Sequence, residues 1–246
     1  MGIVADAWSW LTTGANWSGD GGIWHRLAEH TYVSGAALLL ACAVALPLGL
    51  WLGHLGKGGA TAVNVSNAGR AVPVFAVLAL FMVSPLRNAG YAPTVIALVL
   101  FAVPPLLTNA YVGMREVDRA VVEAARGMGM SGGQVFRRVE LPLARPLVMT
   151  GLRSAAVQVV ATATIAAMVG QGGLGRIITA GFNTYNTPQV VAGALLVALL
   201  ALLVEAVLVG ADRLLGRRAG DDGTTAGTTA GTTAGTTDGT TDGTTG

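Results

Sequence analysis

The chain has 246 residues, 52% of them hydrophobic and only 11% charged, with a mean hydropathy of +0.61. A soluble domain carries about 25% charged residues, so this composition points to a polytopic membrane protein rather than a soluble one. The net charge of +2 is too small to argue for nucleic acid, and the single cysteine, Cys42, can form neither an intrachain disulfide nor a metal cluster.

Residues 1–25 hold four of the five tryptophans (Trp8, Trp10, Trp17 and Trp24) and no Lys or Arg. The basic start of a cleavable leader is therefore missing. Tryptophan favours the headgroup level of a bilayer, so residues 1–28 read as an interfacial lead-in. A span over residues 3–24 is interrupted by Asp20 and by several Gly, Ser and Asn. Trp51 follows Trp24 by 27 residues, which a helix converts to roughly 40 Å, about one bilayer with its headgroups.

Five apolar segments then approach the ~20 residues that a helical span requires. They are Tyr32–Leu52, Val63–Val83, Thr94–Met114, Leu147–Val169 and Pro188–Gly210. The second is the weakest. Its apolar core is only Ala71–Val83, and it borrows Asn64, Ser66, Asn67 and Arg70 to reach full length. His25, His30 and His54 fall near span edges, which suits incidental interfacial roles, and Cys42 reads as a small buried side chain. Glu205, the one carboxylate inside a span, could snorkel or pair with Arg213 or Arg70.

The third and fourth spans are joined by a polar, arginine-rich loop, residues 115–146. Val117, Val121, Ala124 and Met128 recur at helical spacing and predict one apolar face. Glu123 lies four residues after Arg119 and three before Arg126, close enough to pair with both. Gly127 and Gly129 allow a turn. Ser131 and Gln134 predict a capping box for a second short helix from Gly132, carrying Val135, Phe136 and Val139 and ending before Pro142.

If this loop is cytoplasmic, that side collects Lys57, Arg70, Arg115, Arg119, Arg126, Arg137, Arg138, Arg145, Arg153, Arg213, Arg217 and Arg218, leaving only Arg26, Arg87 and Arg176 outside. The positive-inside bias then puts the N-terminus outside and the C-terminus in the cytoplasm. From Gly223 the chain repeats G-T-T-A or G-T-T-D. Such a repeat cannot bury enough apolar surface to fold, so residues 216–246 read as a disordered low-complexity tail.

Glu123-Ala124-Ala125, Gly129, Val139 and Leu141-Pro142 stand at fixed spacing. They resemble the E-A-A-x3-G-x9-I-x-L-P loop of permease subunits of ATP-binding-cassette (ABC) importers, with Val139 in place of Ile. Asn67–Pro73, Thr108–Gly113, Arg115–Asp118 and Ala161–Gly175 further resemble the permeases for glycine betaine, carnitine, choline or proline betaine. The resemblance implies an all-α fold of about five transmembrane helices, like that of methionine-type importers, over residues 29–215 in the cell membrane. It implies coupling to a separate ATP-binding subunit through Glu123, Ala124, Ala125, Gly129, Arg119, Arg126, Leu141 and Pro142. An extracytoplasmic substrate-binding protein and a second copy or sister permease would complete the assembly, and no cofactor is implied.

Polar residues within spans are candidates for the path: Asn109, Tyr111, Gln158, Thr162 and Thr164, with interhelical hydrogen bonding equally open to them. No G-x4-G-K-[ST] phosphate loop occurs, and Lys57 is the only lysine. ATP hydrolysis would therefore fall to a partner. Gly170–Gly175 matches G-x-G-x-x-G, but it follows a span with no strand, so it reads as a flexible external turn. Two other readings stay open: an ABC permease for an amino acid such as methionine, and an ATP-independent channel or secondary transporter. Against the latter, the spans show no internal repeat and almost no intramembrane charge.

Overall fold

A computed structural model describes residues 2–69 and 71–224. The chain divides into two compact units, residues 1–208 and 209–246. In chain order the helices are α1 (Ile3–Thr12), α2 (Ile23–Leu55), α3 (Gly59–Gly69), α4 (Val74–Val83), α5 (Ala92–Arg115), α6 (Arg119–Gly127), α7 (Gly132–Val135), α8 (Leu141–Ala166), α9 (Gly175–Asn183) and α10 (Thr187–Thr224). Of the tail expected over residues 216–246, residues 216–224 continue α10 as helix, and residues 225–246, like Arg70, lie outside the described residues.

Among the described residues four stretches are long and apolar enough to cross a bilayer: Ile23–Leu55, Ala92–Arg115, Gly132–Val169 and Thr187–Leu214. At 33 residues, α2 is about 50 Å long and overshoots the hydrocarbon core at its ends. The second expected span is not one helix. It breaks into α3 and α4, whose axes meet at 71°. Pro73 stands at the N-cap of α4 with extended backbone, where its ring disfavours continuing the helix before it.

The fourth span also differs. It does not begin after the loop, and the second loop helix does not end before Pro142. Instead α7 passes through a π-turn, Phe136–Glu140, straight into α8. Pro142 has no N–H, and its ring would crowd the carbonyl four residues back. The wider π-turn accommodates both at one site.

The core lies where α2, α5 and α8 meet. Val33, Ala37, Ala41, Ala45, Leu98, Ala102, Leu106, Ala155 and Val159 are buried there. Small residues let the backbones approach, which is how helices gain packing contacts inside a membrane. A β-carbon on Gly49 would lie 2.8 Å from Ala110 Cβ, and one on Gly151 would lie 2.7 Å from Asn109 Cβ. A separate cluster joins the start of α2, α8, α9 and the first half of α10 through Ile23, Val160, Leu174, Ile177 and Leu200, with Trp10 of α1 and Trp17 packed against it. The tryptophan-rich lead-in is thus a helix docked on the bundle. Trp17 Nε1–H donates to the Leu11 carbonyl at 2.6 Å and fixes the turn between α1 and α2.

Candidate functional site

The 115–146 loop folds into a helix, a tight turn and a second helix. Asp118 caps α6, its carboxylate accepting from the Ala120 N–H at 2.9 Å. At the other end Gly129 adopts φ +84°, the left-handed region that glycine enters without strain. The Met130 N–H donates to the Ala125 carbonyl at 3.2 Å and the Gly129 N–H to the Arg126 carbonyl at 2.9 Å. Those two bonds are a Schellman cap, which satisfies carbonyls that the helix end would otherwise leave open. The capping box of Ser131 and Gln134 forms as expected.

The apolar residues of the α6 region divide between a covered and an uncovered side. Val117, Val122 and Ala125 are buried with Met114, Val135 and Ala144, whereas Val121 is 44% and Met128 77% exposed. Ala124 and Glu123 are exposed too. Spacing leaves open which apolar residues the bundle covers, because a nine-residue helix with apolar residues on two sides takes its phase from its surroundings. The consequence is useful: Val121, Ala124 and Met128 form an uncovered small apolar stripe beside Glu123, while Ala125 anchors the helix from within. Among the described residues Glu123 has no ion pair, so its expected pairing with Arg119 and Arg126 is not formed. Arg126 and Pro142 are exposed; Arg119 and Leu141 are half-buried.

Arg119 turns instead toward Glu140. Glu140 is fully buried, with one oxygen facing His54 Nδ1 within hydrogen-bond reach and the other 4.0 Å from Arg119 Nη1. The His54 ring also stands edge-on to Phe136, centroids 5.3 Å apart. His54 is therefore not incidental. Glu140 sits between Val139 and Leu141 of the recognised loop pattern and was not singled out, because its burial depends on a helix 86 residues away.

Among the described hollows, none is lined by more than one of the residues expected along a path. Asn109 Nδ2 donates to the Pro105 carbonyl of its own helix at 2.8 Å. Pro105 has no N–H, so the Phe101 carbonyl four residues back lacks its helical partner. Gln158 Nε2 reaches across from α8 toward that oxygen at 3.5 Å. Supplying such orphaned carbonyls is the usual condition for proline inside a membrane helix. Tyr111 packs over Gly59, where any side chain would strike its ring. Thr164 Oγ1 is buried without a partner. Of the five, Gln158 alone lines a described cavity, an open groove of about 470 Å³ shared with Thr150, Arg153, Ser154 and Glu205.

At the other end of the bundle the Gly170–Gly175 turn is pinned rather than flexible. Glu29 Oε2 accepts from the Gly173 N–H at 2.9 Å and from Arg26 Nη1 at 2.7 Å, and Oε1 accepts from the Tyr91 hydroxyl at 2.7 Å. That bond, helped by partial burial, raises the Tyr91 phenol above its usual pKa. His30, buried beside Glu29, donates Nε2–H to the Val160 carbonyl at 3.0 Å. Its Nδ1 then accepts from the Leu174 N–H at 3.3 Å, so one neutral tautomer serves both bonds. No spacing links Glu29 to a glycine 144 positions on, and sequence reading missed it. Around this hub two adjoining hollows of about 380 and 340 Å³ share Arg26 and Arg176, and Arg87 lines the second. Arg87 and Arg176 are exposed and have no ion pair among the described residues.

Comparison with known proteins gives a consistent picture. A family described as "Binding-protein-dependent transport system inner membrane component" matches residues 45–220. The glycine betaine/carnitine/choline transport system permease protein OpuCB of Bacillus subtilis is 36% identical over 193 residues, 78% of this chain and 88% of that protein. The carnitine transport permease protein OpuCB of Listeria monocytogenes is 38% identical over 180 residues, 73% and 82% of the two chains. Among solved structures, an inward-facing form of the MetNI methionine ABC transporter superposes with a TM-score of 0.68 at 21% identity, covering 78% of this chain and 95% of that one.

Proposed function

The chain belongs to the family of binding-protein-dependent inner membrane transport components, and from that premise we propose that it carries a small osmoprotectant through the membrane, driven by ATP hydrolysed on a partner subunit. The solute class is that of glycine betaine, carnitine, choline or proline betaine. Relatives above 30% identity are named for the first three, whereas the methionine transporter shares the fold at 21% identity. The observation that carries the coupling is the exposed stripe Val121, Ala124 and Met128 beside unpaired Glu123, held out by the Gly129 turn. A short helix that buries one face in its own bundle and leaves a small-residue face uncovered suits insertion into a groove of an ATPase subunit. Two permease copies, or this chain and a sister permease, would enclose the path. The loop end of the bundle is then cytoplasmic, with the C-terminus on that side and the N-terminus outside.

Uptake of radiolabelled glycine betaine, carnitine and choline into proteoliposomes tests this reading. The vesicles hold the permease with its ATPase and binding protein, with and without internal ATP. Uptake that requires both ATP and binding protein supports the importer, and uptake without either establishes a channel or secondary carrier.

The outer hollows are the proposed seat of the binding protein. Arg87 and Arg176, facing outward and unpaired, suit acidic side chains on such a partner. Replacing both with glutamine is expected to weaken binding-protein docking about tenfold at low salt. The wild type should lose affinity as salt rises, and the double variant should barely respond. Titration of labelled binding protein onto the reconstituted permease at two ionic strengths measures both.

A further inference from the structure

We propose that His54, Glu140 and Arg119 form a latch, centred on the buried Glu140 carboxylate, that transmits movement of the coupling helix α6 to the membrane helices. The proposal rests on the reading that α6 meets an ATPase subunit. Glu140 lies in the π-turn that leads into α8, His54 is the penultimate residue of α2, and Arg119 opens α6. One fully buried carboxylate therefore joins the first span, the fourth span and the coupling helix.

Burying a carboxylate is costly unless it is paired and hydrogen-bonded. Here only half of it is. Oε2 is held by His54, with the imidazole Nδ1–H donating to the carboxylate. Oε1 is buried without a hydrogen bond, and so is Arg119 Nη2. The guanidinium stands 4.0 Å from Oε1, beyond hydrogen-bond distance but within reach of a small shift. Two unsatisfied charged groups facing each other across such a gap favour any state that brings them together. A shift of α6 of about 1 Å toward α8 closes the gap to a charge-assisted bond. Open and closed latch are thus two discrete arrangements of a packed network, the kind of element that couples distant sites.

Three features locate the latch on the coupling route. Phe136 packs edge-on against His54 and belongs to the same π-turn as Glu140, so a change of turn geometry moves both latch partners. Val122 and Ala125 pack α6 against Met114, Val135 and Ala144, so a small shift of α6 bears directly on the ends of α5 and α8. Glu140 is fully buried, and the half-exposed Arg119 turns its guanidinium toward it, so the pair lies on the bundle side of α6 rather than on the exposed stripe of Val121, Ala124 and Met128.

The test uses the reconstituted complex of permease, ATPase subunit and binding protein. Glu140→Gln keeps the volume and one hydrogen-bond acceptor but removes the charge that attracts Arg119. It is expected to lower the solute transported per ATP hydrolysed by about tenfold. Basal ATPase activity and co-purification of the ATPase subunit are expected to stay within about twofold of wild type. Arg119→Gln should give the same loss, and combining it with Glu140→Gln should add nothing further. Wild-type transport ratio in either variant overturns the latch. So does a loss of co-purification parallel to the loss of transport, since that marks a structural prop alone. Where the two single losses multiply in the double variant, the residues act independently and the latch is again overturned. Failure of the wild type to transport with ATP and binding protein would instead strike the importer reading, a distinct outcome.

Discussion

Gly129→Asp is expected to cut ATP-dependent uptake about thirtyfold while leaving the permease inserted in the membrane, the combined effect of about 2 kcal/mol. The position is left-handed, φ +84°, and the Gly129 and Met130 N–H groups close the cap of α6. A β-carbon there meets nothing within 4 Å, so the effect is not a clash inside the chain. Two other costs act. Backbone strain disfavours a side chain in this conformation, less for Asn and Asp than for other residues. A negative charge in the last turn of a helix opposes the helix dipole. Asparagine shares the first cost and escapes the second. The expected order of uptake is therefore Gly129, then Gly129→Asn, then Gly129→Asp, with Gly129→Asn within about fivefold of wild type. Uptake per inserted permease, with surface labelling to count the inserted chains, checks the series. Equal loss in Gly129→Asn and Gly129→Asp would assign the damage to bulk at the uncovered face rather than to charge at the helix end.

The coupling loop was legible because its information is local. A glycine turn, a capping box and fixed spacing to Leu141-Pro142 lie within a few turns of chain, and each is written in residue type. The phase of α6 was not, because Val121 and Val122 are chemically identical and only the bundle decides which is buried. The bend between α3 and α4 was half visible, as a span that needed polar residues to reach its length. The Glu29 hub and the His54–Glu140 pair were invisible for a different reason. Each joins groups separated by 144 and 86 residues, and a single carboxylate near a span edge carries no mark of its partner. Gln158 illustrates the same limit. Its polarity leaves a path and an interhelical hydrogen bond equally open, and only the fold shows its amide N–H reaching the Phe101 carbonyl that Pro105 leaves without a donor.

Gly53→Val, alone or with Gly49→Val, is expected to destabilise the bundle itself. These glycines face α5 from α2. A β-carbon at Gly49 would sit 2.8 Å from both Ala110 Cβ and the Leu107 carbonyl oxygen, and one at Gly53 would collide with the Met114 side chain and lie 3.1 Å from the Tyr111 carbonyl. Met114 is fully buried, so it has no free rotamer to retreat into. The helices must separate, and overpacking of this kind costs about 1–3 kcal/mol per site. For the double variant the cost is about 4 kcal/mol, a large share of the stability of a small domain. Thermal unfolding in detergent should show it as a lowered midpoint and reduced yield. Gly35→Ala, on the same helix with nothing within 4 Å of its β-carbon, is the control and should melt as wild type. His54 follows Gly53 directly, so a milder Gly53→Ala chain that still inserts should also displace the imidazole from Glu140. It is then expected to lose transport per ATP before it loses fold. Gly53→Val melting as wild type would show that α2 and α5 need no close approach at this level, and the route from α2 to the latch would lose its support.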